Sequence, residues 1–454
     1  MSIQTAPPMV ASRLPPGPKG HWLWGHLGEL RRDILKFYTN CAREYGEVAY
    51  FRFGRKPIYL LSHPDLVEEV LVAQNHRFVK NYLLRLLTPL LGNGMLMSEG
   101  SFWLRQRRLA QPAFHRSRIA AYGPAMVGFT ERMLAGWHSG EHRDIHHEMM
   151  QLTLAIAAKT LFDVDVQNES TDVGAALDVV RRDFSARMGS IWPIPVHWPT
   201  PGNFRLKRAV ERLDRIIYRF IEQRRRSGNE GSDLLSLLLL ARDEDDGSQM
   251  TDKQLRDEAM TIFLAGHETT AILMSWTWYL LARHPEVEAK LVAELRDVLG
   301  NRPPSVEDIP MLRYTEMVVT EALRLYPPAY IIGREAAEAS IIGGYAVPAG
   351  TTVLMSQWVI QRDPRYFNDP DSFRPDRWAD GLAQRLPKYA YFPFGGGPRI
   401  CIGNTFAMQE AVLLLATIAP RFRFTLASAD PVQTQPTVTL RPRGGIPAVL
   451  AKRE

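Results

Sequence analysis

The stretch YFPFGGGPRICIGNTFA, residues 391–407, decides the fold, because it surrounds one of only two cysteines in 454 residues. Cys401 follows three glycines, a proline and an arginine, and it precedes an apolar run that predicts a helix. A lone cysteine between a glycine-rich loop and the start of a helix needs a chemical explanation.

The ordinary roles of cysteine explain this loop poorly. A zinc site needs several Cys or His ligands at short spacing, and none stand near Cys401. A cysteine nucleophile requires a His base, which the sequence does not exclude, but it does not require the glycines. The phosphate-loop pattern G-x-G-x-x-G is not matched, and an inert buried thiol is the general alternative. A thiolate ligand to a flat metal cofactor fits best.

The neighbours of Cys401 agree with a cofactor ligand. The amides and dipole of the following helix favour a thiolate at its N-terminus. Arg399 is placed to pair with an acidic group on the cofactor, and Phe394 to shield the sulfur from water. Glycines let the backbone approach a planar ring where a side chain would clash. These glycines are Gly395, Gly396, Gly397 and Gly403.

FGGGPRICIG (394–403) resembles the haem-binding signature of the cytochrome P-450 monooxygenases, F-x-x-G-x-R-x-C-x-G, at every fixed position. The resemblance implies that Cys401 is the axial ligand to the iron of haem b (iron protoporphyrin IX). In that family the thiolate donates electron density that favours cleavage of the O–O bond. Gly403 belongs to the same cofactor-binding signature.

A second resemblance involves EALRLYPP (321–328). Glu321 and Arg324 share one helix face at this spacing, and taken alone they indicate a surface ion pair of little energetic value. In the cytochrome P-450 family the pair joins a second arginine, here Arg377, in a structural trio that locks the cysteine loop to the core. Trp378 stands where the family has Phe.

A third resemblance lies in FLAGHETTAILMSW (263–276), an apolar helix with a polar centre. A zinc motif H-E-x-x-H is excluded because position 271 is Ala. Thr269 can bond back to the carbonyl of Ala265 and loosen the helix, although a solvent-side polar patch is the alternative. The resemblance implies that Glu268 and Thr269 form a catalytic acid–alcohol pair that organises water and delivers protons.

Basic residues supply the remaining cofactor contacts that the family implies. Trp103 and Arg107 in WLRQRR (103–108) match a W-x-x-x-R pattern that binds the haem propionates. Arg334 and Arg399 match two further propionate-binding arginines. A plain basic helix is the alternative for 103–108, whose vicinity carries additional charges. These are Arg105, Arg108, Arg116 and Arg118.

The order of the elements predicts a mainly α fold with a small β sheet, the cytochrome P-450 fold. Strand patterns occur at 47–53 and 57–62, then only late, at 340–355, 421–428 and 438–453, and the intervening chain from about 64 to 330 is helical in its periodicity. The two ends of the chain therefore meet in the sheet. We expect a Pro/Gly-rich lead-in at 1–20 and one haem-thiolate monooxygenase domain at 21–454.

Two loops interrupt the helical part. RDEDDGSQMTDKQ (242–254) is acidic and ends in a capping box of Thr251 and Gln254, which predicts a new helix. MGSIWPIPVHWPTPGNFR (188–205) is rich in proline and tryptophan. It either packs on the body of the protein or covers a hydrophobic cavity as a lid.

The composition limits the setting of the protein. With a net charge of +6 and a pI of about 9.2, the mild basicity serves either solubility or a basic face for an acidic partner, and we expect no nucleic-acid partner. Two cysteines fit a reducing compartment, and Cys41 is expected to be a packed core thiol. No apolar run or signal peptide indicates a membrane anchor, so we expect a cytoplasmic, soluble, bacterial-type enzyme.

The family implies a monooxygenase that uses O2 and inserts one oxygen atom into a C–H bond. Because no flavin or iron–sulfur domain follows, we expect electrons from a separate ferredoxin or flavodoxin. A peroxide-driven peroxygenase or isomerase, which usually lacks the acid–alcohol pair, and a haem gas sensor are the alternatives. Apolar residues predicted to line the pocket favour a hydrophobic substrate of fatty acid, terpenoid or steroid type. They are Met95, Leu96, Phe263, Ala265, Ile331 and Ile332.

Overall fold

The computed structural model describes residues 14–164, 170–190, 194–227, 233–242 and 247–453. Parts of three predicted segments lie outside these ranges: residues 1–13 of the lead-in, 191–193 of the proline- and tryptophan-rich loop, and 243–246 of the acidic loop. The described part of the lead-in, up to Gly20, has no helix or strand, and the Pro16 carbonyl accepts a 2.8 Å hydrogen bond from the Tyr50 amide.

Helices make up most of the described chain. The α-helices are α1 (Leu27–Arg32), α2 (Ile34–Tyr45), α3 (Pro64–Glu68), α4 (Thr88–Leu91), α5 (Gly100–Ala110), α6 (Arg116–Ala121), α7 (Gly123–Ala135), α8 (Ile145–Phe162), α9 (Ser170–Met188), α10 (Pro201–Ser227), α11 (Leu234–Leu240), α12 (Asp252–Arg283), α13 (Pro285–Leu299), α14 (Arg313–Leu325), α15 (Gln357–Ile360), α16 (Leu382–Arg385) and α17 (Asn404–Ile418). A π-helical turn spans Glu69–Ala73. The 3₁₀ turns are Asn75–Arg77, Leu84–Leu87, Gln111–Phe114, Val306–Met311, Pro375–Trp378 and Gly397–Arg399.

The strands are short and lie near the two ends of the chain, apart from one. They are β1 (Val48–Phe53), β2 (Lys56–Leu61), β3 (Phe78–Lys80), β4 (His142–Asp144), β5 (Ile332–Ala336), β6 (Ser340–Ile342), β7 (Tyr345–Val347), β8 (Thr352–Met355), β9 (Phe422–Leu426), β10 (Thr434–Pro436), β11 (Leu440–Pro442) and β12 (Pro447–Lys452).

The main sheet joins the two ends of the chain. Its strand order is β1-β2-β8-β5-β3, and β8 runs parallel to β2. A second sheet has the order β4-β12-β9, and β6-β7 and β10-β11 are two-stranded. The predicted mainly α fold with a small sheet is therefore confirmed, including the predicted hairpin of β1 and β2, whose turn contains Gly54 at a φ of 57°.

Helix α12 is the central element of the core. It begins at the predicted capping box, in which Thr251 accepts from the Gln254 amide and the Gln254 side chain accepts from the Thr251 amide. Most of its side chains are buried, and it packs most extensively against α8. Because α12 also contacts α14 and α17, it links the cysteine helix to the rest of the core.

Local patterns predicted some elements and missed others. Cys41 lies on α2 and is buried, as expected, and burial raises its thiol pKa to about 12.

Strand β5 was not predicted, because IGREA carries two charges and lacks an alternating pattern. It forms because β8 and β3 pair with it on either side.

Candidate active site

The thiol of Cys401 faces an internal cavity of about 1100 Å³. The 3₁₀ turn Gly397–Arg399 leads into Cys401, and α17 begins three residues after it. The Cys401 amide donates to the Phe394 carbonyl at 3.0 Å, which closes the loop on itself. Except for Glu268, every residue predicted for the site lines the cavity. These residues are Trp103, Arg107, Thr269, Arg334, Phe394, Arg399, Cys401 and Gly403.

Burial dominates the electrostatics of the Cys401 sulfur. It raises the thiol pKa, and the Gly403 amide and the Arg107 guanidinium lower it by a smaller amount. The helix N-terminus alone therefore does not produce the thiolate that the sequence suggested. A metal cation bound to the sulfur would do so, since a coordinating thiol is deprotonated outright.

The glycines of the loop serve two different purposes. A Cβ on Gly397 would lie 1.9 Å from the Leu71 carbonyl oxygen, and one on Gly396 would lie 2.2 Å from the Tyr389 ring. Packing within the protein thus requires glycine at both positions, and Gly396 also lines the cavity, so the expectation that these glycines admit a planar ring stays a prediction. A Cβ on Gly403 would meet only Phe114 at 3.8 Å, an ordinary contact, so packing does not require glycine there.

A buried ion-pair cluster centred on Glu321 lies between α14 and the 3₁₀ turn Pro375–Trp378. Arg324 donates to both Glu321 oxygens at 2.8 and 2.9 Å, and both side chains are 0% exposed. Arg377 donates to the same carboxylate at 2.9 Å. Trp378 adds an indole N–H at 2.9 Å, a bond that phenylalanine would not make. The surface ion pair offered by the sequence is therefore excluded, and the trio is a core element.

The cluster is attached directly to the start of the cysteine loop. Arg324 donates to the Gln361 carbonyl at 2.8 Å, and the Gln361 side chain accepts from the Phe392 amide at 3.0 Å. Tyr391 donates to the Thr320 carbonyl at 3.1 Å. Residues 391 and 392 therefore have fixed positions, and so does the loop that they begin.

Predicted propionate-binding residues meet at one end of the cavity. The Arg399 guanidinium lies 4.3 Å from the centre of the Trp103 ring and forms an ion pair with Glu99. Arg334 lies beside Arg399, and burial lowers its pKa to about 10. Arg107 donates to the Ile400 carbonyl at 3.0 Å, immediately before Cys401.

Sequence reasoning missed Lys80 in this group. Lys80 is buried and lines the cavity, and burial followed by the charges of Arg334 and Arg399 lowers its pKa well below the usual value. The only local signal was a lysine in an apolar stretch, VKNYLL. Three basic side chains, Lys80, Arg334 and Arg399, thus share one carboxylate, Glu99, and a ligand with two anionic groups would favour their charged forms.

These features fit an iron protoporphyrin. The sulfur of Cys401 faces the cavity, Gly403 leaves the adjacent space open, and the cations at one end match two propionates. No group of three or more His, Cys, Asp or Glu side chains in the described ranges could hold a metal ion. An iron ion here would need the additional ligands that a porphyrin supplies.

On α12, Thr269 lies where the sequence predicted. Its hydroxyl donates to the Ala265 carbonyl at 2.7 Å, which confirms the predicted bond back along the helix. Thr269, Ala265 and Gly266 all line the cavity. This hydroxyl therefore lies on the cavity side of α12.

Glu268 points away from the cavity. Its carboxylate accepts from the Thr439 hydroxyl at 2.9 Å and lies 3.1 Å from Nε of the buried Arg441. Burial raises its pKa, and the Thr439 hydrogen bond opposes this effect. Thr439 itself lines the cavity, so the carboxylate is one hydroxyl away from that space.

The remaining walls of the cavity are largely apolar. Met95, Leu96, Ala265, Ile331 and Ile332 line it as expected. Phe263 does not, because it packs in the core against Phe162 and Phe220. Of the loop 188–205, Met188 and Gly189 line the cavity. Four apolar side chains beyond them are exposed rather than packed on the body. They are Ile194, Val196, Trp198 and Phe204.

The four additional arginines differ in exposure. Arg108 and Arg116 are exposed, whereas Arg105 and Arg118 are half-buried. Arg105 donates to the Ser248 hydroxyl at 2.7 Å. Across the described chain, no helix is both long and apolar enough to cross a lipid bilayer.

A family model described as cytochrome P-450 matches residues 15–447. Cyclooctatin synthase of Streptomyces melanosporofaciens is 38% identical over 426 residues, which cover 93% of this chain and 92% of that protein. Cyclooctat-9-en-7-ol 5-monooxygenase of the same organism is 39% identical and covers 88% of this chain and 87% of its own length. Pentalenene oxygenase of Streptomyces avermitilis is 34% identical, with 88% and 89% covered.

Proposed function

The chain belongs to the cytochrome P-450 family, and we propose that it hydroxylates an unactivated C–H bond of a terpenoid-type hydrocarbon. Membership makes it a haem-iron monooxygenase, which uses O2 and electrons from a redox partner. The observation that carries the proposal is the position of Cys401, which lines a large, mostly apolar cavity that Thr269 also lines.

We propose haem b as the cofactor, with Cys401 as its axial ligand. Trp103, Arg107, Arg334 and Arg399 would hold its propionates, as the sequence suggested, and Lys80 adds a fifth polar contact. When bound, the haem supplies the reductive activation of O2 and the transfer of one oxygen atom to the substrate. Phe394, on the inner side of the loop, excludes water from the sulfur.

The side chains of α12 are proposed to control protons. Thr269 offers a hydroxyl to the cavity, and its bond to the Ala265 carbonyl fixes the direction of that hydroxyl. Glu268 has no direct contact with the cavity, so its proton would pass through the Thr439 hydroxyl that bonds to it. The Arg441 guanidinium, 3.1 Å away, favours the ionised form of Glu268 and so opposes the burial that raises the pKa of this carboxyl group.

A terpenoid-type substrate is supported by the cavity and by the names of the relatives. Met95, Leu96 and Ile331 cannot stabilise a buried ionic group, and methionine lets the wall adapt to a bulky ring system. Two relatives are named for oxidising cyclooctat-9-en-7-ol and pentalenene. Arg31 and Arg443 also line the cavity, so a fatty acid belongs among the compounds to be tested.

A ferredoxin or flavodoxin is the proposed electron donor. Arg108 and Arg116 lie on the chain just after Trp103 and Arg107, and both are exposed. Opposite charges steer association, so an acidic partner is favoured on this face. A cytoplasmic location and the single domain at 21–454 stay predictions from the sequence.

The test is a panel of cyclic terpene hydrocarbons, steroids, long fatty acids and small polar aromatics. Each compound is titrated into the haem-loaded protein and scored by the change in spin state and by hydroxylated product. We expect terpene hydrocarbons to bind and turn over best. Turnover of the polar aromatics alone would refute the proposed substrate class.

A further inference from the structure

Residues 92–99 form one wall of the cavity, to which they contribute Met95 and Leu96. This segment connects α4 to α5 and is not itself helical or extended over its length. Its tight turn is held by bonds from the Met97 and Ser98 amides to the Gly94 carbonyl at 2.8 and 2.9 Å. An irregular wall of this kind has the shape that its attachments impose.

Two adjacent buried carboxyl groups of α12 attach the first half of the segment. Asp257 accepts a hydrogen bond from the Asn93 amide at 2.8 Å. Glu258 accepts one from the Met95 amide at 3.0 Å. Asp257 and Glu258 are 4% and 1% exposed, and the bond from Met95 to Glu258 is buried, whereas the bond from the exposed Asn93 to Asp257 is only partly shielded from water. Arg256 compensates the Asp257 charge at 2.9 Å.

The backbone of the segment lies directly against α12. A Cβ on Gly92 would fall 2.1 Å from an Asp257 carboxylate oxygen, and Gly92 has a φ of 55°, which favours glycine. A Cβ on Gly94 would fall 2.2 Å from the Thr261 hydroxyl. Any other residue at these positions would lift the segment away from both carboxyl groups.

The second half of the segment is attached to the cysteine loop. The Ser98 carbonyl accepts from Arg399 at 2.8 Å, and Glu99 forms an ion pair with the same guanidinium. Met95 and Leu96 therefore lie between two attachments, one on α12 and one beside Cys401. Displacement at either end changes how far these two side chains project into the cavity.

We propose that Asp257 and Glu258 are positioning residues that determine substrate selectivity by fixing the Met95–Leu96 wall. The proposal rests on the proposed function, because it assigns a role within that substrate cavity. Both carboxyl groups bind backbone amides, so they act on the position of the wall and leave its apolar surface unchanged. Their effect should depend on the bulk of the ligand.

The test compares Glu258→Met, which removes the acceptor, with Glu258→Gln, which keeps a carbonyl oxygen for the Met95 amide. Hydrogen exchange of residues 92–97 in the holoenzyme reports the attachment itself. Binding of imidazole and of clotrimazole to the haem, followed by absorbance, reports access for a small and a bulky ligand. Neither measurement requires turnover, so failure here is distinguishable from failure of terpenoid hydroxylation.

We expect Glu258→Met to accelerate exchange of the Met95 amide, whose acceptor it removes, at least tenfold. It should change the clotrimazole dissociation constant at least fivefold and the imidazole constant less than twofold, and Glu258→Gln should resemble the wild type. Unchanged exchange in Glu258→Met would overturn the attachment. Faster exchange with an unchanged ratio of the two constants would overturn the role in selectivity.

Gly94→Ala provides a second route if Glu258→Met does not fold. The added Cβ displaces the segment from α12 and leaves both carboxyl groups intact. It should shift the ratio of the two dissociation constants in the same way. A wild-type ratio in a Gly94→Ala protein that shows faster exchange at 92–97 would contradict the proposal.

Discussion

In the ion-pair cluster that supports the cysteine loop, Glu321 and Arg324 are fully buried. Both carboxylate oxygens of Glu321 accept hydrogen bonds from arginine side chains. Elsewhere, in the cavity wall, the positions of Met95 and Leu96 depend on two hydrogen bonds from their segment to buried carboxyl groups of α12. The first region is a network of buried charges that share several hydrogen bonds, whereas the second is attached by single hydrogen bonds from backbone amides to buried carboxyl groups. The comparison suggests that ligation of the cofactor is fixed strictly, whereas the substrate side can change shape at smaller cost.

Removing the central carboxylate of the cysteine side is the largest expected effect. Glu321→Leu would leave Arg324 and Arg377 buried without a counter-charge, which typically costs about 3–5 kcal/mol. We expect that loss in the free energy of unfolding in urea, together with poor haem retention. Glu316→Gln, an exposed change on the same helix, is the control and should cost less than about 0.5 kcal/mol. A loss below about 1 kcal/mol in Glu321→Leu would contradict the comparison.

The carboxyl group of Glu258, which attaches residues 92–99 to α12, should make the stability of the protein depend on pH. Burial raises the pKa of Glu258 to about 8, with Asp257 adding to the effect and the Met95 amide opposing it. The folded state therefore keeps a proton that the unfolded chain releases above about pH 4.5. The contribution of Glu258 to the free energy of unfolding is therefore largest at low pH. It declines as the pH rises toward 8, by up to about 1.4 kcal/mol per pH unit.

Urea unfolding of wild type and Glu258→Gln from pH 5 to pH 8 measures this slope. The difference between the two proteins isolates the titration of Glu258 together with its coupling to Asp257. We expect the wild type to lose stability relative to Glu258→Gln as the pH rises. Parallel curves would mean that Glu258 titrates normally.

Thr269→Ala tests the role of the hydroxyl group that α12 contributes to the largely apolar cavity. We expect haem and substrate binding to be retained and hydrogen peroxide per electron pair to rise about tenfold, because the hydroxyl that organises proton delivery in the cavity is lost. Thr277 makes the same bond back along α12, at 2.8 Å, but does not line the cavity. Thr277→Ala is therefore the matched control. Equal peroxide release from the two variants would remove Thr269 from proton control.

The smallest effect is expected at the exposed arginines. Replacing Arg108 and Arg116 with Gln should slow reduction by an acidic ferredoxin less than about fivefold at low salt, since surface charges act mainly on association. The difference should vanish at high ionic strength, where screening is complete within a few ångströms. Stopped-flow reduction measures the rate, and a salt-independent difference would exclude steering by these charges.

The sequence predicted those features that depend on residues close to one another in the chain. The loop around Cys401, the Thr269 bond to Ala265 and the capping box of α12 each depend on residues within a few positions of one another. The partners of Glu268 and Glu258 were not predictable, because Thr439, Arg441 and Met95 lie far away in the chain and meet them only through the fold. Lys80 was missed for the same reason, since its acidic and basic neighbours belong to other elements.

Glycines and polar residues show the same limit. FGGGPRICIG located the loop, yet only the contacts of Gly396 and Gly397 with Tyr389 and Leu71 reveal that these two serve packing. E-x-x-R indicated a pair, but its complete burial follows from α14 lying beneath the 3₁₀ turn Pro375–Trp378. A motif therefore identifies the important residues, but it does not predict the contacts that those residues make in the fold.

The central claim is that the Cys401 thiolate binds the haem iron. The most direct measurement is the absorbance spectrum of the reduced, CO-bound protein, recorded for wild type and for Cys401→His. The account predicts the red-shifted band that reports a thiolate in the wild type and its loss in Cys401→His, with some haem retained. Persistence of that band in Cys401→His would contradict the account.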